Sequence, residues 1–142
     1  VDLMKEMIRV AAGEPLSVKQ EDIHLQGHAM ECRINAEDPA HHFRPCPGVI
    51  EEIHLPGGNG VRIDTAAYNG YEIPPFYDSM IAKVIVHGRT RQEAIDKMRS
   101  TLGELIIDGV TTNVDFQYEI LDNEDFQAGE ITTDFIPMHF NL

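Results

Sequence analysis

The chain has 142 residues, of which 42% are hydrophobic and 25% charged, and this length and composition fit one folded globular domain with a modest core. Its net charge of −13, from 24 acidic and 11 basic residues, argues against binding to nucleic acid or to an anionic membrane. No apolar run approaches the roughly 18 residues that span a bilayer, and the first residues lack the basic and apolar regions of a secretory signal.

An amphipathic helix is predicted at the start of the chain. Apolar residues recur at helical spacing from Leu3 to Ala11. Asp2 is suited to cap the N-terminus of this helix, and Gly13 is suited to end it. The polar stretch that follows, residues 17–27, predicts a loop or a short helical turn.

Strands are predicted in the middle of the chain. Apolar and polar residues alternate from His28 to Asn35, and the polar face of this first strand presents Glu31 and Arg33. Two prolines make residues 40–48 a loop. Three more strands are predicted, at residues 49–55, 61–64 and 81–86. Their connections are too short for parallel crossovers, so we expect a mostly antiparallel sheet with packed helices, an α+β domain.

The clearest helix is predicted to start after Thr90. Thr90 and Glu93 match a capping box, and the apolar stripe that follows continues to Ile106. Gly109 is expected to end this helix.

The last third of the chain predicts further helix. Thr112 and Asp115 repeat the capping pattern for a helix that runs through Leu121. Residues 123–128 favour one more helical turn, whereas residues 135–137 are expected to be extended and to pack back on the domain.

The cysteines and histidines give no strong signal for a disulfide or a metal site. Cys32 and Cys46 do not form a disulfide framework, and we expect both to be reduced in a cytoplasmic protein. His41, His42, Cys46 and Asp38 are metal-ligand residue types, but their spacing matches no zinc pattern. We therefore expect a solvated loop and no metal site there.

Common nucleotide-binding motifs are also absent. The sequence contains no phosphate loop of the Gly-x4-Gly-Lys-Ser/Thr kind and no dinucleotide-binding fingerprint. The glycine-rich residues 57–60 lie between two predicted strands rather than at a helix start, which favours a plain turn. The acidic clusters at residues 51–52 and 122–125 favour solvated faces over paired catalytic carboxylates.

Arg33 is the residue that most favours a functional site. It lies in the middle of a strand, on the polar face, between Glu31 and Asn35. One interpretation is structural, with Arg33 forming a salt bridge to Glu31 or Glu37. The other is an anion clamp, because a planar guanidinium suits a carboxylate, bicarbonate or an enolate oxygen.

Long motifs resemble one enzyme family. The segment from Gly27 to Pro39, GHAMECRINAEDP, closely resembles the stretch that opens the C-terminal domain of biotin carboxylases. Further segments resemble the same family in the same order, at residues 47–50, 56–58, 60–62, 74–83 and 107–113. The first helix is similar to the one that closes the ATP-grasp portion of these enzymes. The resemblance implies a closing helix and linker at residues 1–27 and the C-terminal domain at residues 28–142.

The resemblance implies a two-step reaction and two roles for arginines. In this family ATP activates bicarbonate, and the carboxyl group then moves to biotin on a carrier protein. Arg33 matches the family arginine that holds bicarbonate and stabilises the negative oxygen of the biotin enolate. Arg62 matches a position near the homodimer contact, although Asn59 stands where some relatives have a bulky aromatic residue.

The resemblance also implies that much of the active site lies elsewhere. The family's nucleotide, magnesium and general-base groups lie upstream of Val1, so we expect this chain alone to bind no cofactor and to be inactive. The parent enzyme would use ATP, magnesium, bicarbonate and biotin. Expected partners are the ATP-grasp lobe, the biotin carboxyl carrier protein and a second copy of the chain.

Three hypotheses about the parent protein follow. The chain is one wall of a carboxylase active site, or it is a non-catalytic module for dimerisation and docking, or it belongs to a pyruvate or acyl-CoA carboxylase. An end soon after Phe140 favours the free-standing subunit of a bacterial acetyl-CoA carboxylase, the first step of fatty acid synthesis. We also expect Met4, Met7 and Val10 on the first helix to be partly uncovered and to favour self-association.

Overall fold

The structure, a computed structural model, describes residues 1–140. Five helices and seven strands follow one another in this part of the chain, with short 3₁₀ turns at Gln20–Asp22 and Pro39–His41. In chain order they are α1 (Leu3–Ala11), β1 (His28–Asn35), β2 (Glu37–Asp38), β3 (Arg44–Pro45), β4 (Glu52–His54), β5 (Val61–Thr65), β6 (Met80–Gly88), α2 (Arg91–Glu104), β7 (Ile106–Asp108), α3 (Val114–Asp122), α4 (Glu124–Ala128) and α5 (Phe135–His139).

The main sheet has three strands in the order β1-β6-β5, and both pairs are antiparallel. Two small antiparallel ladders, β2-β3 and β4-β7, complete the strand pairing. The prediction of an α+β domain with a mostly antiparallel sheet is confirmed. Because β6 is central, β1 has one paired edge and one edge that faces away from the sheet.

The core lies between one face of this sheet and α2. The alternation predicted for β1 is present, since Cys32 and Ile34 are buried while Arg33 between them is exposed. Val84 on β6 pairs with Cys32 on one side and with Ile63 on the other. Helix α2 packs on β6 and β1 and contributes further buried side chains, Ala94, Ile95, Met98, Thr101 and Leu102.

Helix α1 forms as predicted but is nearly uncovered. The carboxylate of Asp2 accepts a hydrogen bond from the Lys5 backbone N–H at 3.0 Å, and Gly13 adopts a positive φ of 85° just after the helix. Its apolar residues are exposed, and Glu6 is the one residue of α1 that is buried. The expectation that Met4, Met7 and Val10 are partly uncovered is therefore confirmed.

The predicted end of α2 at Gly109 was wrong. The helix ends at Glu104, and residues 106–108 form β7 instead, which pairs with β4. The two β-branched residues Ile106 and Ile107 suit a strand, and the ladder to β4 decides between the two structures. Gly109 follows this strand with a φ of 96°, so it ends β7 rather than α2.

The C-terminal prediction of an extended segment was also wrong. Phe135–His139 is a short helix, and Pro137 lies in its first turn, where the missing backbone N–H costs little. Phe135 is buried and lies near the ring of Phe126, with 6.1 Å between the ring centroids. This aromatic contact supports the packing of the segment on the domain.

Two other boundaries differ from prediction. Residues 40–48 were predicted as loop, but Arg44 and Pro45 form β3 and pair with β2. Proline is tolerated in such a short edge strand because it lacks only the backbone N–H donor and keeps its carbonyl acceptor. The strand predicted at residues 49–55 is shorter, with an isolated bridge from Val49 to Glu72 and then β4.

Candidate functional site

Arg33 projects from the exposed face of the main sheet. Its Nε and Nη2 atoms each lie 3.4 Å from the sulfur of Met80, which is a weak acceptor. Within residues 1–140, no carboxylate lies within ion-pairing distance of its guanidinium. The guanidinium is therefore open to an anionic ligand.

Glu37, one salt-bridge partner considered for Arg33, is engaged elsewhere. Its Oε1 accepts hydrogen bonds from the Ser79 hydroxyl at 2.5 Å and from the Asn35 side-chain amide at 3.3 Å. Glu31 lies on the same exposed face but opposite Ile85, not opposite a cation. Neither of the salt bridges considered for Arg33, to Glu31 or to Glu37, is present in the described part of the chain.

Two further cations and the Asp64 carboxylate lie near Arg33 on this face of the sheet. Lys83 on β6 lies directly opposite Arg33, and Asp64 on β5 lies opposite Lys83. The Asp64 carboxylate is 3.7 Å from Lys83 Nζ and 3.2 Å from the Nε of Arg62. Like charges opposite each other on paired strands repel, and Asp64 offsets the charge of Lys83, so Arg33 is the cation of this group that no carboxylate of residues 1–140 pairs with.

The backbone on either side of Arg33 is held by Asn113. The Asn113 side-chain amide donates to the Arg33 carbonyl at 3.1 Å, and its carbonyl oxygen accepts from the Asn35 N–H at 2.9 Å. This contact was not predicted from the sequence. An asparagine just before a helix favours a cap in any sequence, and no local pattern indicates that its side chain bonds a strand about eighty residues away.

Comparison with known proteins decides the family. The model of the biotin carboxylase C-terminal domain matches residues 31–138. This chain belongs to that family. The matched residues include Arg33, Arg62, Lys83 and Asn113, and so contain the whole of the site described above.

The relatives are biotin carboxylases and subunits of related carboxylases. The chain is 54% identical to biotin carboxylase 1 of Bacillus subtilis over 95% of its own length and 30% of that protein. It is 56% identical to a pyruvate carboxylase subunit from Methanothermobacter thermautotrophicus, over 96% of the chain and 28% of that protein. It therefore spans less than a third of these curated relatives.

A solved structure of a biotin carboxylase domain has the same fold. It is the biotin carboxylase domain dimer of the 2-oxoglutarate carboxylase from Hydrogenobacter thermophilus, in complex with MgADP, ADP and bicarbonate. The TM-score is 0.94 at 47% identity, over 98% of this chain and 31% of that one. The predicted fold type, that of a biotin carboxylase C-terminal domain, is confirmed.

Neither cysteine of this biotin carboxylase domain is paired. Cys32 is buried in the core and Cys46 is half-buried, and both are free thiols. Burial, together with the nearby negative charge of Glu31, raises the pKa of Cys32 to about 12. A thiol with such a pKa is almost entirely protonated at neutral pH, so Cys32 acts as a core residue rather than a nucleophile.

The loop with metal-ligand residue types is internally bonded. Asp38 lies 2.6 Å from the Nδ1 of His41 and 3.7 Å from Arg44, while the Cys46 thiol donates to the Arg44 carbonyl. Across residues 1–140 no group of three His, Cys, Asp or Glu side chains is placed to hold a metal ion. The helices of this same region are all too short or too polar to cross a membrane.

Proposed function

We propose that the chain forms one wall of the carboxylation site of an ATP-dependent biotin carboxylase. In this proposal Arg33 binds bicarbonate and stabilises the negative oxygen of the biotin enolate. The observation that carries it is the exposed guanidinium of Arg33, which no carboxylate of residues 1–140 neutralises. Membership of the biotin carboxylase C-terminal domain family supports the choice of substrate.

The chemical role assigned to Arg33 follows from its charge and its support. Removal of the proton from the ureido nitrogen, which allows that nitrogen to accept the carboxyl group, places negative charge on the biotin oxygen. A cation fixed in that position lowers the barrier because it needs no reorganisation. Arg33 sits on a paired strand rather than on a loop, with Lys83 directly opposite it on β6. A planar guanidinium can also hold bicarbonate through two parallel hydrogen bonds.

The remaining groups of the reaction are assigned to the upstream lobe. No group of three metal-ligand side chains is found within residues 1–140, and the sequence contains neither of the common nucleotide-binding motifs, which supports a place for magnesium and ATP outside this chain. We therefore assign ATP, magnesium and the general base to that lobe, and we expect this chain alone to be inactive. The uncovered apolar residues of α1, among them Met4 and Met7, suit a surface that packs against the upstream lobe.

Further partners are a second copy of the chain and the biotin carboxyl carrier protein. The Hydrogenobacter relative is described as a domain dimer, which supports a homodimer here. Arg62, proposed to lie near the dimer contact, is exposed and holds Asp64 at 3.2 Å. Its place in an interface stays a prediction. The cytoplasmic location also stays a prediction, since three of the relatives are chloroplastic enzymes.

Two parents fit the relatives. The first is the biotin carboxylase subunit of an acetyl-CoA carboxylase, which would place the reaction in fatty acid synthesis. The similarity to biotin carboxylases such as those of Bacillus subtilis and Haemophilus influenzae favours it. The second is a pyruvate carboxylase subunit, which the 56% identity to the Methanothermobacter protein favours.

The test is a chimera in which this chain replaces the matching part of the Bacillus subtilis relative. We expect it to release phosphate from ATP in the presence of magnesium, bicarbonate and biotin. Arg33→Ala should lower the rate by on the order of 10²–10³, the usual effect of removing one charge-stabilising donor. Arg33→Lys should fall between the two, because it keeps the charge but loses the planar fork.

The matched control is Arg89→Ala. Arg89 is also exposed and bonds Glu93 at the start of α2, away from the candidate site. Its removal should leave activity within about twofold, since exposed ion pairs contribute little. An inactive chimera, or equal rates for Arg33→Ala and Arg89→Ala, contradicts the active-site assignment and leaves the docking module as the better description.

A further inference from the structure

Asn113 occupies the position at which an asparagine normally caps a helix, yet it does not cap α3. Its φ and ψ are −88° and 13°, and its side chain accepts no hydrogen bond from the first turn. The Thr112 hydroxyl accepts a hydrogen bond from the Val114 N–H instead, but this bond is long, at 3.5 Å. The carboxamide of Asn113 is therefore used for something other than the stability of its own helix.

That carboxamide completes the outer edge of β1. It donates to the Arg33 carbonyl at 3.1 Å and accepts from the Asn35 N–H at 2.9 Å, while the Asn113 backbone N–H donates to the Asn35 carbonyl at 3.1 Å. These three bonds resemble those of a neighbouring strand. Asn113 is only 5% exposed, so both ends of its amide are committed to this contact.

The contact lies beside an irregularity in the pairing of β1 with β6. The pairing between β1 and β6 shifts register between Ile34 and Asn35, immediately after Arg33. Within residues 1–140, the Met80 sulfur is the only hydrogen-bond partner of the Arg33 guanidinium. The direction of this side chain therefore depends on the backbone that Asn113 fixes.

We propose that Asn113 is a positioning residue for Arg33, a role that rests on the anion-binding function proposed for Arg33. It holds the β1 backbone so that the guanidinium is already placed when bicarbonate arrives. Such preorganisation matters because a misplacement of about 1 Å at a reacting centre can cost on the order of 10²-fold in rate. The Asn113 amide is bonded to β1, so in this proposal it acts through Arg33 and not by contact with a substrate.

The test uses the complete chimeric carboxylase and two variants. Asn113→Asp keeps the acceptor for the Asn35 N–H but sets an oxygen against the Arg33 carbonyl. Asn113→Ser supplies a good helix cap, so α3 should remain folded, but it is too short to reach β1. We expect both to raise the KM for bicarbonate or lower kcat by about tenfold or more, with the KM for ATP unchanged.

A matched control separates positioning from general stability. The Thr65 hydroxyl also makes two bonds, to the Ile81 carbonyl and from the Ala67 N–H, at the opposite edge of the sheet. Thr65→Val should lower the melting temperature without changing the KM for bicarbonate. If the Asn113 variants change only the amount of folded enzyme, as Thr65→Val does, the positioning role is wrong.

Combining the Asn113 variants with Arg33→Ala distinguishes the positioning role of Asn113 from the anion-binding function proposed for Arg33. In the Arg33→Ala enzyme, Asn113→Ser should have no further effect on the kinetics of bicarbonate, because the group that it positions is gone. Equal losses from Asn113→Ser with and without Arg33 contradict the positioning role. Full activity of Arg33→Ala itself instead contradicts the function proposed for Arg33.

Discussion

The N-terminal segment and the domain that follows it use hydrophobic residues in opposite ways. In the domain, apolar side chains from β1, β6 and α2 are buried together, and Arg33 points outward. In α1 the apolar side chains are exposed and a carboxylate, that of Glu6, is 7% exposed. The apolar residues of α1 and of α2 follow the same 3.6-residue periodicity, so the difference in their burial comes from what covers each helix.

The contrast shows what an amphipathic pattern can and cannot specify. It predicts that a helix forms and which of its faces needs cover. It does not say where the covering surface lies in the chain. For α2 the cover is β6 and β1, whereas for α1 the apolar face is left open within residues 1–140. Polar contacts of Glu6 to Ser17 and of Arg9 to Glu14 link this helix to the next segment.

Truncating the same residue type in the two regions gives the largest expected difference. Met98 on α2 is completely buried, whereas Met7 on α1 is 64% exposed. Met98→Ala should lower the free energy of unfolding by about 2–5 kcal/mol, because it removes apolar contacts and leaves a cavity. Met7→Ala should change it by less than about 0.5 kcal/mol. Urea denaturation of the two variants measures both values, and comparable losses would show that α1 is part of the core.

Two glycines with the same backbone conformation give the next comparison. Gly13 and Gly109 both have a positive φ, of 85° and 96°. An added methyl group at Gly13 meets nothing within 4 Å, but at Gly109 it would lie 2.3 Å from the Val49 carbonyl oxygen. Gly109→Ala should therefore cost about 2–4 kcal/mol of global stability.

The Gly13 variant is the control for that clash. Gly13→Ala carries only the cost of placing an L-residue at positive φ, about 1–2 kcal/mol, and this cost should fall on the end of α1 alone. Hydrogen exchange should show faster opening of α1 amides and unchanged protection of β6. Equal global destabilisation by both variants would mean that φ, rather than the close approach to Val49, sets the cost at Gly109.

The elements of the domain were predictable where local pattern and tertiary packing agree. The strand from His28 to Asn35 was predicted with the right ends because its alternation matches the buried and exposed faces of the sheet. The prediction failed at Ile106, the last residue of the helical stripe, and at Ile107, which lies before the predicted stop at Gly109. Both pair with β4 instead. That ladder joins residues more than fifty positions apart, so no local window reveals it.

The candidate site was predictable only in part for the same reason. Arg33 was singled out because its guanidinium lies in mid-strand on the polar face of β1, a pattern that left a salt bridge and an anion clamp both open, and the family resemblance assigned it the functional role. Lys83 and Asn113 were not found, since their relation to Arg33 depends on the pairing of β1 with β6 and on the approach of α3. The cap predicted for this helix was Thr112 with Asp115, so the local pattern gave Asn113 no role of its own and no indication of its contact with the strand.

The smallest expected effect concerns the polar contact that holds α1. The hydroxyl and the backbone N–H of Ser17 donate to Glu6 at 2.5 and 2.9 Å, and these bonds, aided by Arg9, lower the pKa of Glu6 below its ordinary value of 4.5. A lowered pKa means that the contact stabilises α1 fully above about pH 4.5 and weakens as the pH falls through the folded-state pKa. Ser17→Ala should therefore raise the pKa of Glu6.

Carbon-13 NMR titration of the glutamate carboxyls measures this change directly. Glu93 is the internal control, because its pKa is also lowered, but by hydrogen bonds from Arg89. Ser17→Ala should move the titration of Glu6 upward and leave that of Glu93 in place. If the pKa of Glu6 does not change, the Ser17 hydroxyl is not what holds α1, and the helix relies on the backbone N–H and Arg9 alone.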